Sequence, residues 1–508
     1  MMFRLRRNVY LDNNATTQVS RGVRKRVNYV LKYCYGNPSS LYRAARDSAI
    51  ILEESREQVA AAIHAQPGEI YFTGSASEAN NAILKSVCEY FYPKKKKIIS
   101  TPIEHASVMS TLDYLKTRGI IVEYCPVDNN GKVIIAELEK MIDADTFLIC
   151  CMLGNNEIGT VQDLVKISGL ARNRGVLVMA DCVQALGKIN VDILQLGVDY
   201  ACFSAHKIHG PKGVGCLFVK EGRHFSPLIH GGHQEQGLRA GTESLHNIAG
   251  FAAACKDIDK MLLKSRQIFS LKNRFIEELK RLKPDIIINS PHSSEDDECL
   301  PNTVNITFPG VSNARFMAFL DYNGISISAG SACNTQEDTP SHVLKAIGLS
   351  DQQARQSIRF SLGSDTTAAN IKYVVKTIKD YFAEKESPIR VITPAQLNEN
   401  LLLNEQTYIL DVRFWYDRKI LDSLPNSHEV SFHKFRRYVD QVPRDKNILV
   451  ICQAGYNSPI IAYYLKSKHF KNVGFLLGGL VAWRLAQPDL YKKMAGQNIK
   501  KLIPGKKK

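Results

Sequence analysis

The 508-residue chain has room for two to four domains, and its 44% apolar and 23% charged content is that of a globular protein with a sizeable core. No run of about 18 apolar residues supports a membrane span. The basic start Met1–Arg7 lacks the apolar region and small-residue cleavage site of a signal peptide, so the chain reads as cytoplasmic. A net charge of +16 raises nucleic acid as a partner, but the lysines fall in scattered runs (94–97 and the 500–508 tail) with no interleaved aromatics, the pattern of a solvated surface. Twelve cysteines in this length exclude a disulfide scaffold, and none has the paired spacing of a zinc site.

From about residue 8 to 250, short apolar strands alternate with amphipathic helices. The strand-like stretch Val9–Leu11 comes first; examples of the strands that follow are Ile70–Thr73, Ile98–Thr101, Thr146–Leu153, Leu177–Asp181, Tyr200–Ser204 and Val214–Val219, and the helices include Ala45–Ile63 and Leu164–Arg174. This alternation predicts a mainly parallel α/β sheet. A smaller α+β unit follows to about residue 385, with helices over Ile248–Leu263 and Gln267–Leu282 and a strand at Thr303–Phe308. Residues 386–389 lie in a charged, proline-containing linker. The alternation restarts over 390–490, with strands Tyr408–Val412, Ile448–Cys452 and Val473–Leu477 and a helix Pro459–Ser467. A basic tail occupies 491–508.

Chemistry gathers at the strand ends. Ile70–Thr73 runs into Gly74-Ser75-Ala76-Ser77, small residues that open a helix and can surround an anion with backbone N–H groups. Leu177–Asp181 ends in a carboxylate followed by Gln184, and Tyr200–Ser204 runs into His206-Lys207. An acid and an amine at neighbouring strand ends can address two sides of one pyridine ring, the amine as an imine and the acid keeping the ring nitrogen protonated.

These residues resemble the cysteine desulfurases of the class V aminotransferase family. The matching stretches include Tyr10–Thr17, Gly36–Ser40, Phe72–Asn81, Glu104-His105, Asn155–Gly159, Asp181–Gln184, Ser204–Lys207, Arg239–Thr242, Ser328–Cys333 and Ser357–Ser361. The resemblance covers about residues 8–385. It implies the type I pyridoxal-phosphate-dependent transferase fold, a homodimer, and L-cysteine as substrate. Carried over residue by residue, Lys207 binds pyridoxal 5'-phosphate and shuttles protons, while His105 stacks on its ring as an acid or base. Asp181 pairs with the ring nitrogen and Gln184 with the ring oxygen. Ala76, Ser77, Ser204 and His206 hold the phosphate with Thr242 of the partner subunit, and Asn156 and Arg359 grip the substrate carboxylate. Tyr42, His233 and Gln236 depart from the usual family residues, at rim and dimer positions.

Cys333 follows Ile327–Ala332 and precedes the aperiodic stretch Asn334–Pro340, before a helix at Ser341–Ile347. A long polar loop there is expected to let a thiolate reach the substrate sulfur and carry it out as a persulfide. Over about 390–490 the chain resembles a rhodanese domain, through Leu410–Arg413, Leu449–Ser458 and Leu476–Trp483. Cys452 at the end of its strand, before a glycine turn into a helix, suits an anionic persulfide. Asn457 replaces the family's usual Arg, and Leu424–Ser427 only loosely echoes the expected motif. The expected role of Cys452 is therefore to receive sulfur from Cys333 rather than to use thiosulfate.

The implied reaction turns L-cysteine into L-alanine and an enzyme persulfide, which passes to an acceptor protein for iron–sulfur assembly or for thiolation of tRNA or cofactors. The competing readings are a selenocysteine lyase or β-lyase on the same scaffold, and a sulfur-carrier scaffold whose rhodanese-like domain is not catalytic.

Overall fold

The computed structural model describes residues 8–291, 299–330, 340–383 and 389–499. Its strands in chain order are β1 (Val9–Tyr10), β2 (Ile70–Thr73), β3 (Lys97–Ser100), β4 (Ile121–Tyr124), β5 (Thr146–Cys150), β6 (Leu177–Asp181), β7 (Tyr200–Ser204) and β8 (Gly215–Val219). They continue as β9 (Ile287–Ile288), β10 (Thr303–Thr307), β11 (Ile325–Ser326), β12 (Ser357–Ser361), β13 (Arg390–Ile392), β14 (Thr407–Asp411), β15 (Ser427–Glu429), β16 (Asn447–Ile451) and β17 (Val473–Leu476).

The large sheet has seven strands in the order β2-β8-β7-β6-β5-β3-β4. Its neighbours pair in parallel except for β8, which runs antiparallel to β2 and β7. Strands β5 and β7 are buried along their whole length, as continuous apolar runs must be when helices cover both faces of a sheet. Helices Arg43–Ala61, Leu164–Asn173 and Leu245–Cys255 contribute to one core, while Ala76–Phe91 and Ala106–Lys116 build the other.

The smaller unit holds an antiparallel sheet in the order β12-β10-β9. Three expectations change here. The N-terminal strand does not join the large sheet: β1 lies parallel to β11, and Val9 and Leu11 are buried in the small unit's core. The helices expected over Ile248–Leu263 and Gln267–Leu282 are Leu245–Cys255 and Ile258–Leu282, because the chain breaks at Lys256-Asp257 and not near Ser265. Ser265 lies inside the second helix, its hydroxyl donating to the Met261 carbonyl at 3.2 Å. The strand expected to reach Leu153 ends at Cys150.

The C-terminal sheet is wholly parallel, in the order β13-β17-β16-β14-β15. It continues past residue 490: helix Pro488–Ile499 buries Tyr491, Met494 and Ala495 against the Leu480 and Trp483 cluster. The linker at 384–388 and the basic residues 500–508 lie outside the described residues. Helix Asn457–Ser467 of this unit lies on helix Asn313–Tyr322 of the small unit. The Tyr463 ring sits 5.5 Å from Phe319 and 5.8 Å from Tyr322, its hydroxyl donates to Arg315 O at 2.9 Å, and the Tyr322 hydroxyl donates to Ser467 at 3.1 Å.

Among the described residues, no helix is long and apolar enough to cross a membrane. The eleven described cysteines are unpaired and buried. Burial pushes the thiols of Cys34, Cys88, Cys125, Cys150, Cys151, Cys182, Cys202, Cys216 and Cys255 above the usual range.

Candidate active site

At the neighbouring carboxyl ends of β6 and β7, Asp181 stands in register with Cys202, two residues before Ser204, and the chain after β7 carries His206 and Lys207. A parallel sheet gathers its chemistry at such ends, where helix N-termini also point. The Asp181 carboxylate is 6% exposed; it accepts from Val183 N and Asn80 Nδ2, each at 3.0 Å. Among the described residues no Lys, Arg or His forms an ion pair with it, so an uncompensated acid faces the space between the strand ends.

Asn80 donates also to Ser107 Oγ at 2.9 Å, and that hydroxyl lies 2.8 Å from His105 Nδ1. The chain His105–Ser107–Asn80–Asp181 thereby ties the two expected ring contacts together. His105 Nδ1 accepts the Ser107 N–H at 3.2 Å, which leaves the proton of the neutral ring on Nε2. Burial, and then the Lys207 charge against an opposing Asp181, holds His105 below the ordinary histidine range and so in that neutral form. The adjacent Glu104 is driven up to about 8 by burial, with Asp181 adding to the rise, although Thr101 and Met152 N donate to it.

Lys207 Nζ donates to the carbonyls of Asn14 at 2.5 Å and Ala15 at 2.9 Å. Gln184 Nε2 donates to the same Asn14 carbonyl at 3.0 Å. Asn14 is therefore a hub; its side chain also meets Thr303, Asn302 and the Asn156 carbonyl. Lys188 holds two amide oxygens of this cluster, Gln184 Oε1 at 2.5 Å and Asn14 Oδ1 at 2.9 Å. Burial, Lys207 and Arg359 all lower its affinity for a proton. Neither Asn14 nor Lys188 was among the residues expected from the sequence, although Asn14 stands inside a matching stretch.

Arg359 on β12 is 1% exposed, donating to Asn156 O at 3.0 Å and to Asp12 Oδ1 at 2.8 Å, while its Nε has no partner among the described residues. A buried guanidinium with an unused N–H is suited to a planar carboxylate. Ser328 pairs with Arg359 through Arg359 N to Ser328 O at 2.7 Å. The backbone at Ser328, five positions before Cys333 in the sequence, is thus fastened to the strand that carries that guanidinium. Cys333 itself lies outside the described residues.

The phosphate position expected at Ala76 and Ser77 is the first turn of helix Ala76–Phe91, capped by Ser75, which accepts Glu78 N at 3.2 Å. Gly215 on β8 passes directly beneath; a Cβ there would lie 2.8–2.9 Å from Ser75 C and Ala76 N, so only glycine allows the approach. His206 Nδ1 sits 3.1 Å from Thr16 Oγ1, and burial followed by Lys207 and Lys212 lowers it to about 4. Thr242 is exposed within its own chain, on a small cavity lined also by Thr73 and Gly74. An unpaired acid, a nearby amine, a helix N-terminus and a buried guanidinium form a donor set that fits pyridoxal phosphate with an amino-acid substrate.

In the C-terminal unit, Cys452 follows β16 and is 2% exposed; its Sγ accepts Ser458 N at 3.4 Å and lies 3.2 Å from Ser458 Oγ. Gly479, at φ +65°, passes over this turn where a Cβ would lie 2.5 Å from Cys452 O. Asn457 opens helix Asn457–Ser467 beside the turn and brings no charge to it.

The chain belongs to the aminotransferase class-V family, whose match runs over residues 9–374, and a rhodanese-like domain follows over 393–486. A cysteine desulfurase IscS of Dictyoglomus turgidum is 38% identical over 394 residues, 77% of this chain and 97% of that protein. Among solved structures, a NifS-like protein shares 37% identity at a TM-score of 0.69, covering 74% of this chain and all of the other. A structure described as SspA in complex with cysteine shares 32% identity at a TM-score of 0.62, covering 71% of this chain and all of its own.

Proposed function

We propose that this chain is a pyridoxal-phosphate-dependent cysteine desulfurase that converts L-cysteine to L-alanine and leaves the sulfur as a persulfide on Cys333. The observation that carries the reading is the pairing of Ser328 with Arg359: the run leading to Cys333 starts beside the group suited to the substrate carboxylate. When bound, the cofactor supplies an electron sink for the carbon skeleton of the substrate. Lys207 is the amine that holds it, Asp181 the acid for its ring nitrogen and Gln184 a donor to its ring oxygen. Ala76, Ser77, Ser204 and His206 surround its phosphate, joined by Thr242 from the second subunit of a homodimer. Lys207 and His105 move protons, with His105 presenting Nε2. Arg359 exchanges its bond to Asp12 for the substrate carboxylate, helped by Asn156. The Cys333 thiolate attacks the substrate sulfur, and the carbon–sulfur bond breaks with its electron pair left on the carbon skeleton that ends as alanine; Cys452 then receives the outer sulfur, releasing Cys333 as thiolate, before a cytoplasmic acceptor protein takes it for iron–sulfur assembly or thiolation.

Mass spectrometry of the purified chain after incubation with cysteine tests this. The expected result is one added sulfur on Cys333 and then on Cys452, with alanine appearing in step. Alanine formed at the wild-type rate by Cys333→Ser would favour a β-lyase, and protein that takes up no pyridoxal phosphate would end the proposal.

A further inference from the structure

After β6 the chain coils, with Leu186 N donating to Cys182 O at 3.2 Å and Lys188 N to Ala185 O at 3.0 Å. Gln184 and Lys188, four positions apart, thereby reach one polar cluster. Lys188 Nζ donates to Gln184 Oε1 at 2.5 Å and to Asn14 Oδ1 at 2.9 Å. At its other end the Gln184 amide donates through Nε2 to Asn14 O at 3.0 Å, a carbonyl that Lys207 Nζ also meets at 2.5 Å. Asn14 is fixed in turn: its Nδ2 donates to Asn156 O at 3.1 Å and Thr303 Oγ1 at 2.8 Å, and its Oδ1 accepts from Asn302 Nδ2 at 3.0 Å. Asn14, Gln184 and Asn302 are 1%, 4% and 3% exposed, so their polar atoms depend on these partners.

A side-chain amide has a donor end and an acceptor end of nearly equal shape, and its surroundings choose which one faces where. Turned over, Gln184 would set N–H bonds against those of Lys188 and its oxygen against the Asn14 carbonyl. That carbonyl is shared with Lys207, so it holds the donor end only in part. Lys188 fixes the acceptor end.

We infer that Lys188 is a positioning residue: it holds the Gln184 amide with Nε2 toward Lys207 and, through Oε1, polarises that N–H into a stronger donor. The inference rests on the reading of Gln184 as the donor to the cofactor's ring oxygen, and adds what makes it one. A donor there favours the anionic ring oxygen and so eases loss of the proton from the imine that Lys207 forms. Lys207, Asp181 and the Arg359–Asp12 pair also bear on that proton, and all stay in place when Lys188 or Gln184 is changed.

The pH midpoint of the imine absorption band, read on full-length chains loaded with pyridoxal phosphate, tests this in a double-mutant cycle of Lys188→Met and Gln184→Met. Either variant is expected to raise the midpoint by about one unit, and the pair together by no more than one of them, because Lys188 acts only through the amide. Lys188→Arg, which keeps donors against both oxygens, should restore the wild-type midpoint. In the cofactor-free protein, the double variant should unfold at higher urea than Lys188→Met alone, since it removes the oxygen left without a donor. A Lys188→Met shift of equal size with and without Gln184, or no shift in either background, overturns the positioning role; the first result would mean that the lysine charge acts on the imine directly. Where Lys188→Met does not fold, a Lys188→Arg midpoint displaced as far as that of Gln184→Met overturns it equally. A Gln184→Met midpoint that does not move overturns the inference and leaves the desulfurase reading standing, whereas a wild-type chain that takes up no pyridoxal phosphate ends both.

Discussion

Glu235 offers a direct way to weaken the floor of the phosphate cradle. Its carboxylate accepts from Arg56 Nη1 at 2.8 Å, Arg56 Nη2 at 2.9 Å and Phe72 N at 2.8 Å, with the two side chains 2% and 6% exposed. Glu235→Ala leaves a buried guanidinium whose remaining acidic neighbour, Glu53, is 3.7 Å away and 66% exposed, too solvated to replace what is lost. Removing one partner of a buried pair costs about 3–5 kcal/mol, and the stranded Phe72 N–H about 1–3 kcal/mol. The two overlap, so about 4 kcal/mol is expected in total. With a urea slope of about 3 kcal/mol/M, the midpoint drops by about 1.3 M.

Both tryptophans, Trp415 and Trp483, belong to the rhodanese-like unit. The far-UV circular dichroism transition should therefore move while the tryptophan fluorescence transition stays put. A companion double variant, Glu235→Leu with Arg56→Met, should recover most of the loss, since an apolar pair needs no compensating charge. An unchanged dichroism midpoint for Glu235→Ala, or a double variant less stable than the single one, would refute the reasoning.

Gly479→Ala places a methyl 2.5 Å from Cys452 O at a φ of +65°; it should destabilise the rhodanese-like unit by about 1–3 kcal/mol, read by tryptophan fluorescence during urea unfolding. His206 titrates at about 4 in the fold against 6.5 ordinarily, so its contribution is complete above pH 6.5 and lost as pH falls toward 4. The cofactor-free protein should thus lose stability over that window, and His206→Gln should flatten the dependence measured by unfolding midpoints. Asp181→Asn keeps the acceptor for Val183 N but sets an amide against Asn80; alanine formation should fall by at least about 10²-fold, checked by quantifying alanine alongside retained cofactor.

Six of the seven strands of the large sheet were legible because they are largely apolar runs that end abruptly in polar residues, as at Asp181 and Ser204, whereas the edge strand β4, with Glu123 in it and no fully buried position, was not. The same endings exposed the acid and the amine. What joins them was not legible: Asn80 reaches both Ser107 and Asp181, and Asn14 reaches Lys207, Gln184 and Thr303 over nearly the whole desulfurase unit. Such bonds leave no periodicity. The partner of β1 was hidden for the same reason, since Val9 meets Ile325 only in the folded chain. The last helix was missed because its charged face reads as a tail, while only a few residues, Tyr491, Met494 and Ala495, mark the buried side. The docking of Tyr463 on Phe319 likewise has no local signature.

The nine thiols that burial keeps protonated have a consequence for a protein that handles loose sulfur. A sulfane atom hops only to a thiolate, so an interior of reluctant thiols is an insulator around the cargo. Cys150, Cys151, Cys182 and Cys202, packed into the sheet around the reacting end, would otherwise be the nearest sinks and would strand sulfur as dead-end adducts. Their silence lets traffic follow the order of the machinery and not the order of proximity.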